Sequence, residues 1–330
     1  MTSTRPGTVG GPANWLGSEI SDDGWCIEID AQHVAELRAA VAAVAPLELS
    51  AITAADVHLP TLGPVLAGVV DELADGRGFV LLRGMPVEAM SEPELERLFW
   101  CIGIHLGIPI SQNDAGDVLV HVRDEGLDFS DPHVRAYQTN DLLGYHSDSS
   151  DVVGLLCVRP AMEGGVSTIV SAAAVYEAAL AARPDLADVL GSTWWWDRRK
   201  ADLDVSFFQR RIFAVDDEGR FAAYYGRSHI ESAVRGPQVP ELDARQIETL
   251  DLLDALANDP RFVLNMHFRP GDIQFLNNYK IWHARTSYVD FPEPERQRDL
   301  YRLWLTLRLP LSLPEDFRHG GITDREVAFG

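Results

Sequence analysis

Cysteine is scarce in this chain: three in 330 residues, Cys26, Cys101 and Cys157, with no C-x-x-C pair. An odd, widely spaced set offers neither a disulfide framework nor a thiolate zinc site, and fits a reducing cytoplasm. Positive charge is also short. Lys and Arg total 28 against 50 Asp and Glu, a formal net charge of −22, which sets up a field that repels phosphate backbones and anionic membranes. Residues 1–15 lack the apolar core of a signal peptide, and no run approaches the ~20 apolar residues of a membrane span. There is no G-x-S-x-G elbow, no P-loop, no dinucleotide fingerprint and no internal repeat. These absences fit a soluble, cytoplasmic protein and make nucleic acid and membrane poor choices of partner.

What is present is material for a large core, since 46% of residues are hydrophobic. Residues 1–13, rich in Gly, Pro and Thr, read as a flexible arm, and 14–330 as a single domain. Its first part, 14–110, is mostly helical: Asp30 caps "AQHVAELRAAVAAV", and Ser91 with Glu94 forms a capping box before "LERLFWCIGIHLG". Between these helices "GFVLLRG" (78–84) reads as a buried strand. From about 135 the chain becomes a succession of short β-rich runs, among them "DVVGLLCV", "VSTIVS", "FVLNMHF", "DIQFLNN", "IWHAR" and "LYRLWLTLRL". Helices at about 172–183 and 241–258 interrupt them. The fold class is mainly β with flanking helices, a sandwich or barrel buttressed from outside.

Two His-x-acid triplets occur, His146-Ser147-Asp148 in "GYHSDSSD" and His229-Ile230-Glu231. About one or two are expected by chance in a chain so rich in acid, so the triplet alone decides nothing. In an extended segment, residues i and i+2 point to one face, so His146 and Asp148 can present an imidazole and a carboxylate to one ion. A 2-His-1-carboxylate set with open positions is the donor set of non-haem Fe(II) oxygenases. His283, in the β-like "IWHARTSY" that follows the turn "RPGD", is the best third ligand. Downstream, Arg298 and Arg302 share strand parity, and two guanidinium groups on an apolar strand are costly to bury unless they meet anions. A dicarboxylate co-substrate supplies one; surface pairing with Glu293, Glu295 or Asp299 is the alternative. The triplet at 229 lacks an apolar strand to fix it and is not expected to bind metal. "TWWWDRRK" (193–200) reads as sheet packing, Gln112 and Asn113 as loop residues without a role, and His121, His133 and His267 as structural.

The segments "YHSDSSDVVGLLCVRPAMEGGVSTIVSAAAVY" and "RPGDIQFLNNYKIWHARTSY…RQRDLYRLWL", together with "RGFVLLRG" and "GRSHIESA", resemble the TauD/TfdA family of Fe(II)/2-oxoglutarate dioxygenases over about 75–310. The resemblance implies a clavaminate-synthase-like, double-stranded β-helix (jelly-roll) core in that span. It implies Fe(II) held by His146, Asp148 and His283, with 2-oxoglutarate and O₂ as co-substrates. It makes Arg298 the partner of the distal carboxylate of 2-oxoglutarate, with Arg296 as a competitor, and puts a hydroxyl at Ser167 or Thr168 on the same carboxylate. Arg302 matches a second arginine that faces substrate or co-substrate, and Arg227 is a candidate for a substrate carboxylate. The expected reaction is hydroxylation of an unactivated carbon in a small carboxylate-bearing molecule, such as an amino acid or a specialised-metabolite precursor. Desaturation or cyclisation by the same oxidising chemistry is the alternative, as is a non-oxygenase metal-binding barrel, a zinc hydrolase or sensor. Asp148 argues against halogenation, which needs a small residue there.

Overall fold

Two apolar runs more than a hundred residues apart, Val152–Arg159 and Ile273–Asn277, lie side by side as antiparallel strands at the centre of the molecule. In the computed structural model, which describes residues 9–21, 24–113, 115–127, 136–199 and 206–318, they belong to a seven-stranded major sheet. Its order is Cys26–Glu28, Phe79–Arg83, Ile273–Asn277, Val152–Arg159, Asp299–Leu307 and Gly107–Ile110, with Leu119–Val122 also paired to Asp299–Leu307. A four-stranded minor sheet runs Leu264–Met266, Ser167–Ser171, Ile281–Arg285 and Leu143–His146. The two sheets face each other across an apolar layer that includes Phe79, Leu81, Val153, Ile169, Leu276, Ile281 and Trp304, all buried. Strand alternation explains the pattern: Ile281 and His283 point between the sheets while Trp282 points out. This is the expected β core with flanking helices.

Helices cover both outer faces. Ala31–Val44, Leu62–Ala74 and Glu92–Leu106 pack on the major sheet, where Phe99 meets Phe275 with ring centroids 6.3 Å apart. Asp30 caps the first through the N–H groups of Gln32 and His33, and the Ser91–Glu94 capping box starts the third. Leu62–Ala74 is not marked in the sequence because Gly63 and Pro64 disguise its first turn; Pro is tolerated there, where N–H groups lack intrahelical acceptors. Ala172–Ala182, capped by Ser171, and Ala244–Ala257 cover the minor sheet, whose outer face carries the stacked pair Tyr225 and Trp282, 4.4 Å apart. Residues 1–8 of the expected arm lie outside the described residues. Val9 is buried, and its N–H bonds the Glu177 carboxylate, so the arm's end is pinned to the second helical layer. No described helix is long and apolar enough to cross a membrane.

The "RPGD" turn sets the register of the strand Ile273–Asn277. Gly271 has φ +86°, and a Cβ there would lie 2.1 Å from the Met85 carbonyl oxygen, so only glycine fits. The adjacent Asp272 is fully buried. It accepts two bonds of 2.9 Å from the Arg83 guanidinium and one from the Arg269 N–H. Arg83→Met strands that carboxylate, and its unfolding free energy, read from denaturant midpoints, is expected to fall by about 3–5 kcal/mol.

His121 meets Asp299 through Nδ1 at 3.1 Å, beside the start of the last long strand. This hydrogen bond, against the opposing effect of burial, raises the imidazole above its ordinary value. A raised folded pKa contributes stability that is full below the unfolded value of ~6.5 and is lost as pH rises through the folded value. Thermal melts of wild type should therefore lose stability across that window, and His121→Gln should flatten the loss.

Candidate metal centre

The metal trio is assembled by cross-strand pairing. His283 sits directly opposite His146 on one side and Ile169 on the other, and the two imidazole centroids are 4.2 Å apart. Asp148 follows the end of the strand Leu143–His146, where the Ser147 N–H bonds the Tyr225 carbonyl and the Asp148 N–H bonds Asn278 Oδ1 at 3.0 Å. Asn278 also donates to Ser150, so one buried amide shapes the whole turn. His146 Nε2 lies 3.9 Å from Asp148 Oδ1, and His283 Nε2 lies 3.7 Å from Asp148 Oδ2. All three ligand atoms fall within 4.8 Å of one another.

The chemistry of these atoms suits a divalent cation. His146 Nδ1 is 2.9 Å from the Gly144 carbonyl, which makes Nδ1 the donor and leaves Nε2 with its lone pair. Burial lowers His146 below the usual imidazole range, and burial with the neighbouring His146 takes His283 down to about 3, so both rings favour the neutral form that can coordinate a cation. Burial pushes Asp148 upward, but Arg302, His283, His146 and the Trp304 N–H together outweigh it and hold the carboxyl below its ordinary value. Trp304 Nε1 donates to Asp148 Oδ2 at 3.1 Å, and an Arg302 nitrogen lies 3.7 Å from Oδ1. His146, Asp148 and His283 thus fit a metal that takes nitrogen and oxygen donors.

The arginines separate into distinct roles. Arg298 is 4% exposed; its Nη1 donates to the Val122 carbonyl, and among the described residues no carboxylate meets its guanidinium. It lines a small cavity with Cys157, Gly165, Val166 and Leu300. Gly165, at φ +64°, has its missing Cβ 3.2 Å from Arg298 Nε, so the Gly-Gly pair is what makes room. Arg296 is exposed, pairs with Glu293 and lies over Phe291, which removes it as a competitor. Asp299 pairs with His121 and Arg159 rather than with Arg298 or Arg302. Arg302 is held by Gln112, whose Oε1 accepts from Arg302 Nε at 2.7 Å and whose Nε2 donates to the Arg302 carbonyl. It lies between the Tyr137 and Trp304 rings.

Three residues are placed differently from what their sequence positions suggest. Thr168 is on the wrong face: Ser167 and Ile169 share the face of His283, whereas Thr168 points outward and bonds Tyr145. Arg227, a candidate for a substrate carboxylate, has its guanidinium paired with Glu231, Asp251 and Asp254 at 2.7–2.9 Å. Gln112, read as a loop residue without a role, is buried against Arg302. The triplet at 229 lies in the short helix Arg227–Glu231, where i and i+2 diverge; His229 Nδ1 meets the Asp197 carbonyl and Glu231 pairs with Arg227. Trp194 and Trp196 pack in the second core as expected. His267 lines the Arg298 cavity, and His133 lies outside the described residues. One charged residue escaped notice altogether: Arg285, two places after His283 and directly opposite Ser167, is 6% exposed. Burial, with Arg298 adding, takes its guanidinium down to about 10. The only signal was its i+2 spacing from a ligand histidine.

Residues 43–304 match the taurine catabolism dioxygenase TauD, TfdA family. FR-33289 synthase of Streptomyces rubellomurinus is 28% identical over 309 residues, 91% of this chain and 90% of that protein. Taurine hydroxylase-like protein SAT17 of Stachybotrys chartarum is 27% identical, over 92% and 82%. Among solved structures, asparagine oxygenase with Fe(II), 2S,3S-3-hydroxyasparagine and succinate superposes with TM-score 0.64 at 14% identity, covering 86% of this chain and 94% of that one. Non-heme iron oxygenase OrfP with Fe, succinate and (3S)-hydroxy-L-Arg gives 0.63 at 15%, over 85% and 94%; at such identities the likeness is one of fold. The family match, spanning the His-Asp-His cluster together with Arg298 and Arg302, shows that this chain belongs to the TauD, TfdA family and is an Fe(II)/2-oxoglutarate-dependent dioxygenase.

Proposed function

We propose that residues 14–330 form one catalytic domain in which His146 Nε2, Asp148 and His283 Nε2 hold the iron, and Arg298 with Ser167 receives the distal carboxylate of 2-oxoglutarate. The substrate is a small carboxylate-bearing molecule, an amino acid or a specialised-metabolite precursor, and Arg302 faces it. When bound, the iron supplies the oxidising chemistry, coupling conversion of 2-oxoglutarate to succinate and CO₂ with hydroxylation of an unactivated carbon. The chain's own work is to fix the donors and to keep water out. Gln112 and Trp304 fix Arg302 and Asp148, and the Gly164-Gly165 turn opens the space in front of Arg298. Three unpaired cysteines accord with a cytoplasmic setting.

The observation that carries this reading is a ligand trio joined to a buried arginine that has no carboxylate partner among the described residues. A hydrolase or a metal sensor has no need of such a receptor. The substrate class rests on the position of Arg302, 11% exposed beside the metal ligand Asp148 and flanked by two aromatic rings, where a carboxylate can be received bidentately. It also draws on asparagine oxygenase and OrfP, whose solved complexes hold hydroxylated amino acids.

Two measurements test it. Anaerobic addition of Fe(II) and then 2-oxoglutarate should give a visible charge-transfer band in wild type and none in His146→Ala or Asp148→Ala; a band that survives either substitution sinks the ligand assignment. In the same titration Arg298→Ala should weaken 2-oxoglutarate by about 30-fold or more, the cost of truncating one side of a buried charge pair, while Arg296→Ala stays near wild type. For the substrate, amino acids and related carboxylates are screened for succinate release above background. Arg302→Gln should then raise the KM of the stimulating compound at least about tenfold, and an unchanged KM removes Arg302 from the substrate.

A further inference from the structure

Arg285 is built like half of a binding site. It lies on the same strand face as His283, one residue pair further along, and directly across from Ser167. Its guanidinium is almost completely buried, yet Nε and Nη1 have no hydrogen-bond partner. Only Nη2 is engaged, donating to the Thr139 carbonyl at 2.9 Å and to the Asp141 carbonyl. Its Cζ lies 4.9 Å from the centroid of the Tyr288 ring, and the Cζ of Arg298 lies 4.9 Å from the same centroid. Two buried cations therefore flank one aromatic ring, and among the described residues neither guanidinium is paired with a carboxylate. Burying like charges together is unfavourable until an anion joins them, and leaving two guanidinium donors dry is a further penalty. By strand parity Arg285 shares its face with Ser167 and with the proposed ligand His283.

We infer that Arg285 is a second co-substrate-binding cation, so that the distal carboxylate of 2-oxoglutarate is held between Arg298 and Arg285, with Ser167 beside them. The inference rests on the co-substrate placement proposed above and adds a consequence of its own. Because the other edge of Arg285 grips the Thr139–Asp141 carbonyls, seating the carboxylate also stiffens that segment, which leads directly into the strand Leu143–His146 and its ligand histidine.

The experiment is an anaerobic calorimetric and spectral titration of Fe(II)-loaded protein with 2-oxoglutarate, in wild type, Arg285→Gln, Arg285→Lys and Arg298→Ala. Arg285→Gln should weaken binding on the order of tenfold or more, with Arg285→Lys recovering part of the loss by restoring the charge. Hydrogen exchange on the wild-type protein supplies a reading that depends on no variant: 2-oxoglutarate should slow exchange of the amides in 139–141. Wild-type affinity in Arg285→Gln, or unchanged exchange in that segment, overturns the role of Arg285. If wild type itself fails to bind 2-oxoglutarate, the co-substrate placement falls instead; if Arg298→Ala is impaired and Arg285→Gln is not, only this inference falls.

Discussion

The direct pairing of His283 with His146 is the contact on which the rest depends. Residues 137 positions apart become neighbours because two strands of the minor sheet run antiparallel in one register. A slip of one residue would turn Ile281, His283 and Arg285 outward and bring Trp282 into the space between the sheets. The register is defended from both sides. Trp282 is locked against Tyr225 and Phe213 on the outer face, while Ile281 and Ile169 fill the inner layer. Placement of the metal donors is therefore a by-product of burying aromatic rings, and needs no separate source of stability.

Asp148 depends on a different kind of restraint, because it stands just beyond the strand. Its backbone is fixed by Asn278, which belongs to the turn between the strands Ile273–Asn277 and Ile281–Arg285, and its carboxylate by Trp304 from the major sheet. The centre thus draws on both sheets. A change in their spacing would alter the distance from carboxylate to imidazoles, so the apolar layer between the sheets also gauges the site.

Much of this was legible in the sequence where periodicity or a cap speaks locally. The helices behind Asp30, Ser91 and Ser171, the strand 79–83 and the β-rich second half all follow from such signals. The choice between the triplets at 146 and 229 was legible too, since one precedes an apolar strand and the other a polar, Pro-bounded stretch. What stayed hidden depends on three-dimensional partnership. Gln112 reads as one polar loop residue among several until Arg302 is placed against it, and Asn278 as half of an Asn-Asn turn until Asp148 is. The Ser167 or Thr168 ambiguity is one of strand parity, which needs the observed pairing with His283. Arg227 looked available because its three acidic partners come from its own helix turn and from the helix Ala244–Ala257, and only folding brings the two together. Arg285 was passed over because a charged residue beside a ligand carries no pattern of its own.

The cationic pocket sits inside a chain of net charge −22. At long range a dianion approaching this molecule meets repulsion, and attraction takes over only within the few ångströms where Arg298 and its surroundings are desolvated. On the co-substrate placement proposed above, the site captures by contact rather than by steering. Dissolved salt, which screens the exterior over a Debye length of about 8 Å at physiological strength but hardly reaches a buried guanidinium, speeds arrival more than it weakens retention.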